Sequence, residues 1–143
     1  MKRGAVIESE RLILRHWQDN SSDRDVFFRL NSDPVIMRFF PARRTRAESD
    51  AQFDKVVSLV ETHGYGWAAA CLENTGEVVG FAGVALVDYF AAPFLPADEI
   101  GWRFVPEVWG QGFATEAAAA LLDHARVRAE ATLFHHDYED QIA

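Results

Sequence analysis

The chain has a single cysteine, Cys71, in 143 residues. One thiol excludes an internal disulfide framework and any zinc site built on several cysteines. No apolar run reaches the roughly 18 residues that mark a membrane-spanning helix. The N-terminus holds basic residues but no apolar core before its charges resume, so no signal peptide is expected. Positive charge is scarce in the second half. Up to Cys71 the chain carries 11 Lys+Arg and 10 Asp+Glu; after it, 3 and 12. With a net charge of −8, it is a poor non-specific partner for nucleic acid, because phosphate neutralisation needs a basic face. There is no internal repeat and no low-complexity tract. What is present is 49% hydrophobic and 25% charged residues, the balance of one globular domain with its own core. A cytoplasmic protein without a metal site is the expectation. The acidic half either solvates the surface or draws a cationic substrate.

Apolar periodicity places the elements. Residues 11–17 read as a strand. Val26, Phe27 and Leu30 recur at helical spacing up to about Asn31. Pro34 restarts a helical segment carried by Val35, Ile36, Phe39 and Phe40 and closed by Pro41. Residues 42–46 form a basic loop. Residues 47–63 are a helix with Phe53, Val56, Val57 and Val60 on one face, and Gly64 stands where a helix C-terminus places glycine. Strands are expected at 67–72, 78–87 and 99–105, with Asn74-Thr75-Gly76 as a hairpin turn between the first two. A proline-containing loop covers 88–98. An alanine-rich helix runs from Thr115 to about Arg128. A hairpin beside a strand–helix unit indicates an α/β class, more narrowly an α+β domain with a mixed sheet.

The segment from Glu99 to Ala117 (EIGWRFVPEVWGQGFATEA) is strand, glycine turn, helix. Gly110 and Gly112 let backbone approach a ligand closely. The helix that follows turns its unpaired N–H groups back toward that turn, an arrangement that binds phosphate. Only Arg103 is near the turn in sequence, so a phosphate there would rest mainly on backbone amides. Gly-x-Gly spacing by itself also fits an ordinary tight connection.

The chain resembles the GNAT N-acetyltransferases, and within them the ribosomal-protein alanine acetyltransferase (RimJ/RimL-like) branch. The resemblance covers residues 8–128 of a single domain, 1–143. It is carried by Ser9-Glu-Arg-Leu-Ile-Leu-Arg15, by Asn31-Ser-Asp-Pro-Val-Ile-Met-Arg-Phe-Phe-Pro41, by Glu99-Ile-Gly-Trp102 and by Trp109-Gly-Gln-Gly-Phe-Ala-Thr-Glu-Ala117. It implies transfer of an acetyl group from acetyl-CoA to a primary amine, on a small molecule or a protein N-terminus, by direct attack. The implied coenzyme contacts are Trp109, Gly110, Gln111, Gly112, Phe113, Ala114 and Thr115, with the pyrophosphate on the amides of Gln111 to Thr115. Pantetheine would pair with the backbone of Arg103, Phe104 and Val105. Glu99 is the implied base, acting through water, and a backbone N–H near Phe104 the oxyanion donor. An Asp98–Glu99 pair merely solvated at a strand end is the other reading of Glu99.

Beyond Arg128 the resemblance ends. The family continues with a fifth strand that splays to admit pantetheine, then a helix that supplies a Tyr or Ser acid. Here residues 129–143 diverge, with Thr132 to Phe134 as a remnant strand and Tyr138 as either a frayed tail tyrosine or a replacement for the acid. A missing or altered C-terminal segment would leave an open sheet edge, with Ile100, Trp102 and Phe104 short of partners. Such an edge invites a homodimer that covers it, and a monomer whose tail folds back over the gap is the other reading. The alternative function is an inactive acyl-CoA-binding module, or a truncated product retaining only the fold. His135-His136 do not converge on a metal. Arg38, Arg43, Arg44 and Arg46 are solvated cations or face an anion. Cys71 reads as an inert strand residue, and Trp17, Trp67 and Trp102 as core.

Overall fold

A computed structural model describes residues 5–87, 97–127 and 133–135. The expected loop 88–98 falls largely outside the described residues, as do Arg128, Thr132, His136 and Tyr138.

The elements follow from their local chemistry. Strand β1 (Ala5–Glu8) and strand β2 (Leu12–Arg15) form an antiparallel pair. Helix α1 (Ser21–Ser32) starts where the Asn20 side chain accepts the Asp23 N–H, at 2.8 Å. Helix α2 (Arg46–His63) opens on a reciprocal capping box between Thr45 and Glu48 and closes on Gly64 at φ 80°, a conformation glycine adopts without penalty. Strands β3 (Trp67–Leu72) and β4 (Val78–Val87) lie where the sequence places them and pair antiparallel. Strand β5 (Ala97–Phe104) pairs antiparallel with β4. A 3-10 turn (Pro106–Val108) leads to helix α3 (Phe113–Val127), and strand β6 (Leu133–His135) lies parallel to the start of β5. The six strands are ordered β1-β2-β3-β4-β5-β6, a mixed sheet as expected.

Several expectations change. β5 begins at Ala97, inside the expected loop, and ends one residue before the expected Val105, and α3 begins at Phe113, two residues before Thr115. The helix expected over 33–40 is a succession of turns. Asp33 Oδ1 accepts the N–H of Val35 (2.8 Å) and of Ile36 (3.3 Å), and Pro34 and Pro41 leave too few residues between them for a helix to propagate. The strand expected over 11–17 contracts to Leu12–Arg15. β1 was not foreseen, because four residues behind a polar lead show too little alternation.

The register gives the sheet two apolar faces. Leu14, Ala70, Ala82, Trp102 and Phe104 share one face, which α3 covers with Ala114, Ala117 and Leu121. Phe81 and Arg103 share the other, beneath α1 and α2. There Trp17, Phe27 and Phe53 meet edge to face, with centroids 5.2–5.8 Å apart, the preferred aromatic geometry. Small residues keep the centre of the sheet thin: a Cβ on Gly80 would overlap the Arg103 carbonyl. Cys71 is buried between strands, and burial pushes its thiol up from the ordinary value; an inert strand residue is what this describes.

One further correction follows. Ile100, Trp102 and Phe104 are at most 2% exposed within a single chain. They are not short of partners, because α3 lies across them. The exposed large apolar side chains among the described residues are Val35, Phe39 and Leu59.

Candidate active site

The site is assembled at the end of β5, where the chain turns into α3. Val105 donates its N–H to the Val79 carbonyl at 2.9 Å, so its backbone faces β4. Successive residues of a strand point their N–H and C=O groups to alternate sides. Arg103 therefore also faces β4, and Phe104 faces the opposite edge. The Phe104 carbonyl on that edge accepts the Trp109 indole N–H at 2.7 Å. Trp109 thus buckles the turn onto the strand. Of Arg103, Phe104 and Val105, Phe104 is the residue whose backbone looks outward.

The turn is built around two left-handed residues, Gly110 at φ 78° and Gly112 at φ 84°. Its consequence is clearest when the three helices are compared. α1 and α2 each have an oxygen-bearing side chain that caps their first amides. α3 follows Gly112, which has no side chain. Its first ladder bond is Glu116 N–H to the Gly112 carbonyl, 3.0 Å. The amides of Phe113, Ala114 and Thr115 precede that bond and have no helical acceptor. Uncapped amides at the positive end of a 15-residue helix accept an anion. A side chain at Gly112 would meet nothing nearer than the Arg11 guanidinium, 3.5 Å away, so there is room over the turn. Such a set of donors suits an anion of the size of a diphosphate.

The cation beside the turn is not Arg103. That side chain is 8% exposed and buried under the turns at 34–40. Its Nη1 donates to the Leu30 carbonyl (3.2 Å) and to Asn31 Oδ1 (3.0 Å), and its guanidinium lies between the rings of Phe40 and Phe81. It fastens the C-terminal end of α1 to the sheet. Arg11 occupies the place instead. Its Nη1 donates to the Gln111 carbonyl at 3.0 Å, its Nε to Glu116 Oε1 at 2.7 Å, and its guanidinium lies 4.1 Å from the Phe113 centroid. Arg11, Ser9 and Glu116 were not singled out from the sequence. The signal was there: Glu116 stands in the first turn of a helix in a half that carries only 3 Lys+Arg, so its counter-charge has to come from elsewhere in the chain.

Glu99 is 7% exposed, so it is not a solvated strand end. It shares the α1/α2 face with Arg103. Phe104 lies five residues further along the same strand, about 17 Å away at the usual rise, and on the other face. The two cannot touch one substrate atom directly.

The sequence profile of the Acetyltransferase (GNAT) domain matches residues 11–140. The chain belongs to the GNAT acetyltransferase family. An uncharacterised N-acetyltransferase of Bacillus subtilis strain 168, YoaA, is 24% identical over 127 residues, covering 83% of this chain and 65% of the relative. The chain spans 65% of the length of the curated relatives it matches. The GNAT-family acetyltransferase of Bacillus anthracis superposes with a TM-score of 0.70 at 23% identity, over 90% of this chain and 71% of that one. A Salmonella typhimurium acetyl transferase, described as modifying the N-terminal serine of a 50S ribosomal subunit protein, superposes with a TM-score of 0.67 at 16% identity, over 89% and 71%. At these identities the superpositions establish the fold. Among the described residues no group of three or more His, Cys, Asp and Glu is placed to hold a metal ion, and no helix is long and apolar enough to cross a membrane.

Proposed function

We propose that the protein transfers an acetyl group from acetyl-CoA to a primary amine by direct attack. The observation that carries this is the uncapped amide end of α3, set on two left-handed glycines beside the end of β5 in a GNAT domain. The pyrophosphate rests on the amides from Gln111 to Thr115. Pantetheine lies along the outer edge of β5, where Phe104 presents its backbone. The amine nitrogen attacks the thioester carbonyl as its proton passes through water to Glu99. The Phe104 N–H stabilises the oxyanion, and collapse breaks the C–S bond to release the CoA thiolate, which takes up a proton. The acceptor is a small-molecule amine or a protein N-terminus, and the RimJ/RimL-like branch is our reading of the motifs from Ser9 to Arg15 and from Trp109 to Ala117.

Isothermal titration with acetyl-CoA, followed by thiol release with a panel of amines on the same sample, tests this. Binding together with release is the expected result. Binding with no release from any amine would identify an acyl-CoA-binding module. Absence of both would remove the coenzyme reading.

We place the enzyme in the cytoplasm as a homodimer. The surface available for assembly includes Val35 and Phe39, 46% and 68% exposed. Sedimentation equilibrium at micromolar concentration should return twice the 16.1 kDa chain mass. A species at the chain mass would discard the dimer and leave the chemistry untouched.

A further inference from the structure

The coenzyme reading leaves Glu116 as a paradox. Its carboxylate stands in the first turn of α3, beside amides meant for a diphosphate, where like charge opposes binding. That carboxylate is held by Arg11 and by Ser9, two residues before it. Oε2 accepts the Ser9 hydroxyl at 2.6 Å and the Arg11 N–H at 2.7 Å; Oε1 accepts Arg11 Nε at 2.7 Å. Burial pushes the Glu116 carboxyl up, but the Ser9 hydroxyl and the Arg11 amide and guanidinium outweigh it and hold the group below its ordinary value. It is ionised at neutral pH, and its charge is spent on Arg11.

Arg11 then acts on the turn. Its Nη1 holds the Gln111 carbonyl. In a trans peptide the C=O and the following N–H point in opposite directions. Fixing Gln111 O toward Arg11 therefore turns the Gly112 N–H away from it. We infer that Arg11, locked in place by Glu116, is the positioning residue of the diphosphate turn: it sets the orientation of the Gly112 amide and cancels the Glu116 carboxylate beside the anion site. This rests on the acetyl-CoA reading above. It assigns a coenzyme-binding role to the hairpin that joins β1 to β2, which is distant in sequence from the glycine turn.

The test is titration of the full chain with two probes, acetyl-CoA and S-acetylpantetheine, which lacks the diphosphate. Arg11→Met should lower acetyl-CoA affinity by about 10- to 100-fold, the size of a lost charge-assisted contact, and leave acetylpantetheine affinity unchanged. Arg11→Lys, at a side chain 43% exposed, keeps the charge but not the fork and should recover only part of the loss. Arg11→Met combined with Glu116→Gln should bind acetyl-CoA more tightly than Arg11→Met alone, because the stranded carboxylate is gone. Loss of both probes in equal measure would mean a general structural role and overturn the inference. So would wild-type acetyl-CoA affinity in folded Arg11→Met or Arg11→Lys. Failure of the wild type to bind acetyl-CoA would overturn the coenzyme reading and this one together, and is told apart by occurring before any substitution.

Discussion

Gly112→Pro should abolish acetyl-CoA binding. Gly112 sits at φ 84°, and proline fixes φ near −65°. The substitution therefore cannot keep the turn. It also deletes the Gly112 N–H and redirects the amides of Phe113, Ala114 and Thr115 that follow. Each hydrogen bond to an anion contributes on the order of 1.5–3 kcal/mol, so loss of even two moves affinity by 10²-fold or more. Titration calorimetry reads the loss, and circular dichroism checks that α3 and the sheet persist. Gly112→Ala separates backbone strain from steric blockage: its Cβ would find open space except for the Arg11 guanidinium at 3.5 Å, so only the cost of a left-handed alanine, about 1–2 kcal/mol, opposes it. Gln111→Ala should change affinity little, because the Gln111 side chain makes only a long bond, 3.3 Å, to the Glu107 carbonyl. Equal affinity in the wild type and Gly112→Pro would remove the glycine turn from coenzyme binding.

Local chemistry was legible in the sequence wherever it was strong. β3 and β4 were read to the residue, because they are bounded by Gly66 on one side and by the Asn74-Thr75-Gly76 turn between them. Gly76 adopts φ 78° there. The end of α2 was legible because Gly64 is its left-handed cap. The start of α2 was placed one residue late, at Ala47, since Thr45 is the cap and Arg46 already helical. What the sequence hides is contact across long separations. Arg103 stands six residues from Trp109 in sequence, yet its side chain leaves the turn and is buried against Leu30 and Asn31. Arg11 stands 105 residues from Glu116 and meets it. Proximity in sequence therefore nominated the wrong arginine. Strand alternation had the information to exclude Arg103: it shares a face with Phe81, opposite the face carrying Trp102 and Phe104. The glycine motif was read correctly as a turn entering a helix, but the absence of a capping side chain became meaningful only beside the capped starts of α1 and α2.

Glu99→Gln should lower kcat by about 10²- to 10⁴-fold, the usual contribution of a general base, with acetyl-CoA affinity unchanged. The substitution keeps the shape of the side chain and removes its capacity to accept a proton, which matters at a site only 7% exposed, where a change of volume would disturb packing as well. Affinity should hold because Glu99 lies at the far end of β5 from the glycine turn, five residues before Phe104 and on the opposite face. The same separation makes a second test available. Glu99→Asp shortens the side chain by one methylene but leaves a carboxylate that a bridging water can still reach, so it should keep more activity than Glu99→Gln. A direct contact with the amine would not tolerate that retreat, since a base must stand within hydrogen-bond reach of the proton it removes. Glu99→Asp no more active than Glu99→Gln would therefore argue for direct abstraction, and the oxyanion donor would have to lie nearer the start of β5 than Phe104. Full activity of Glu99→Gln at every pH would take Glu99 out of the chemistry altogether.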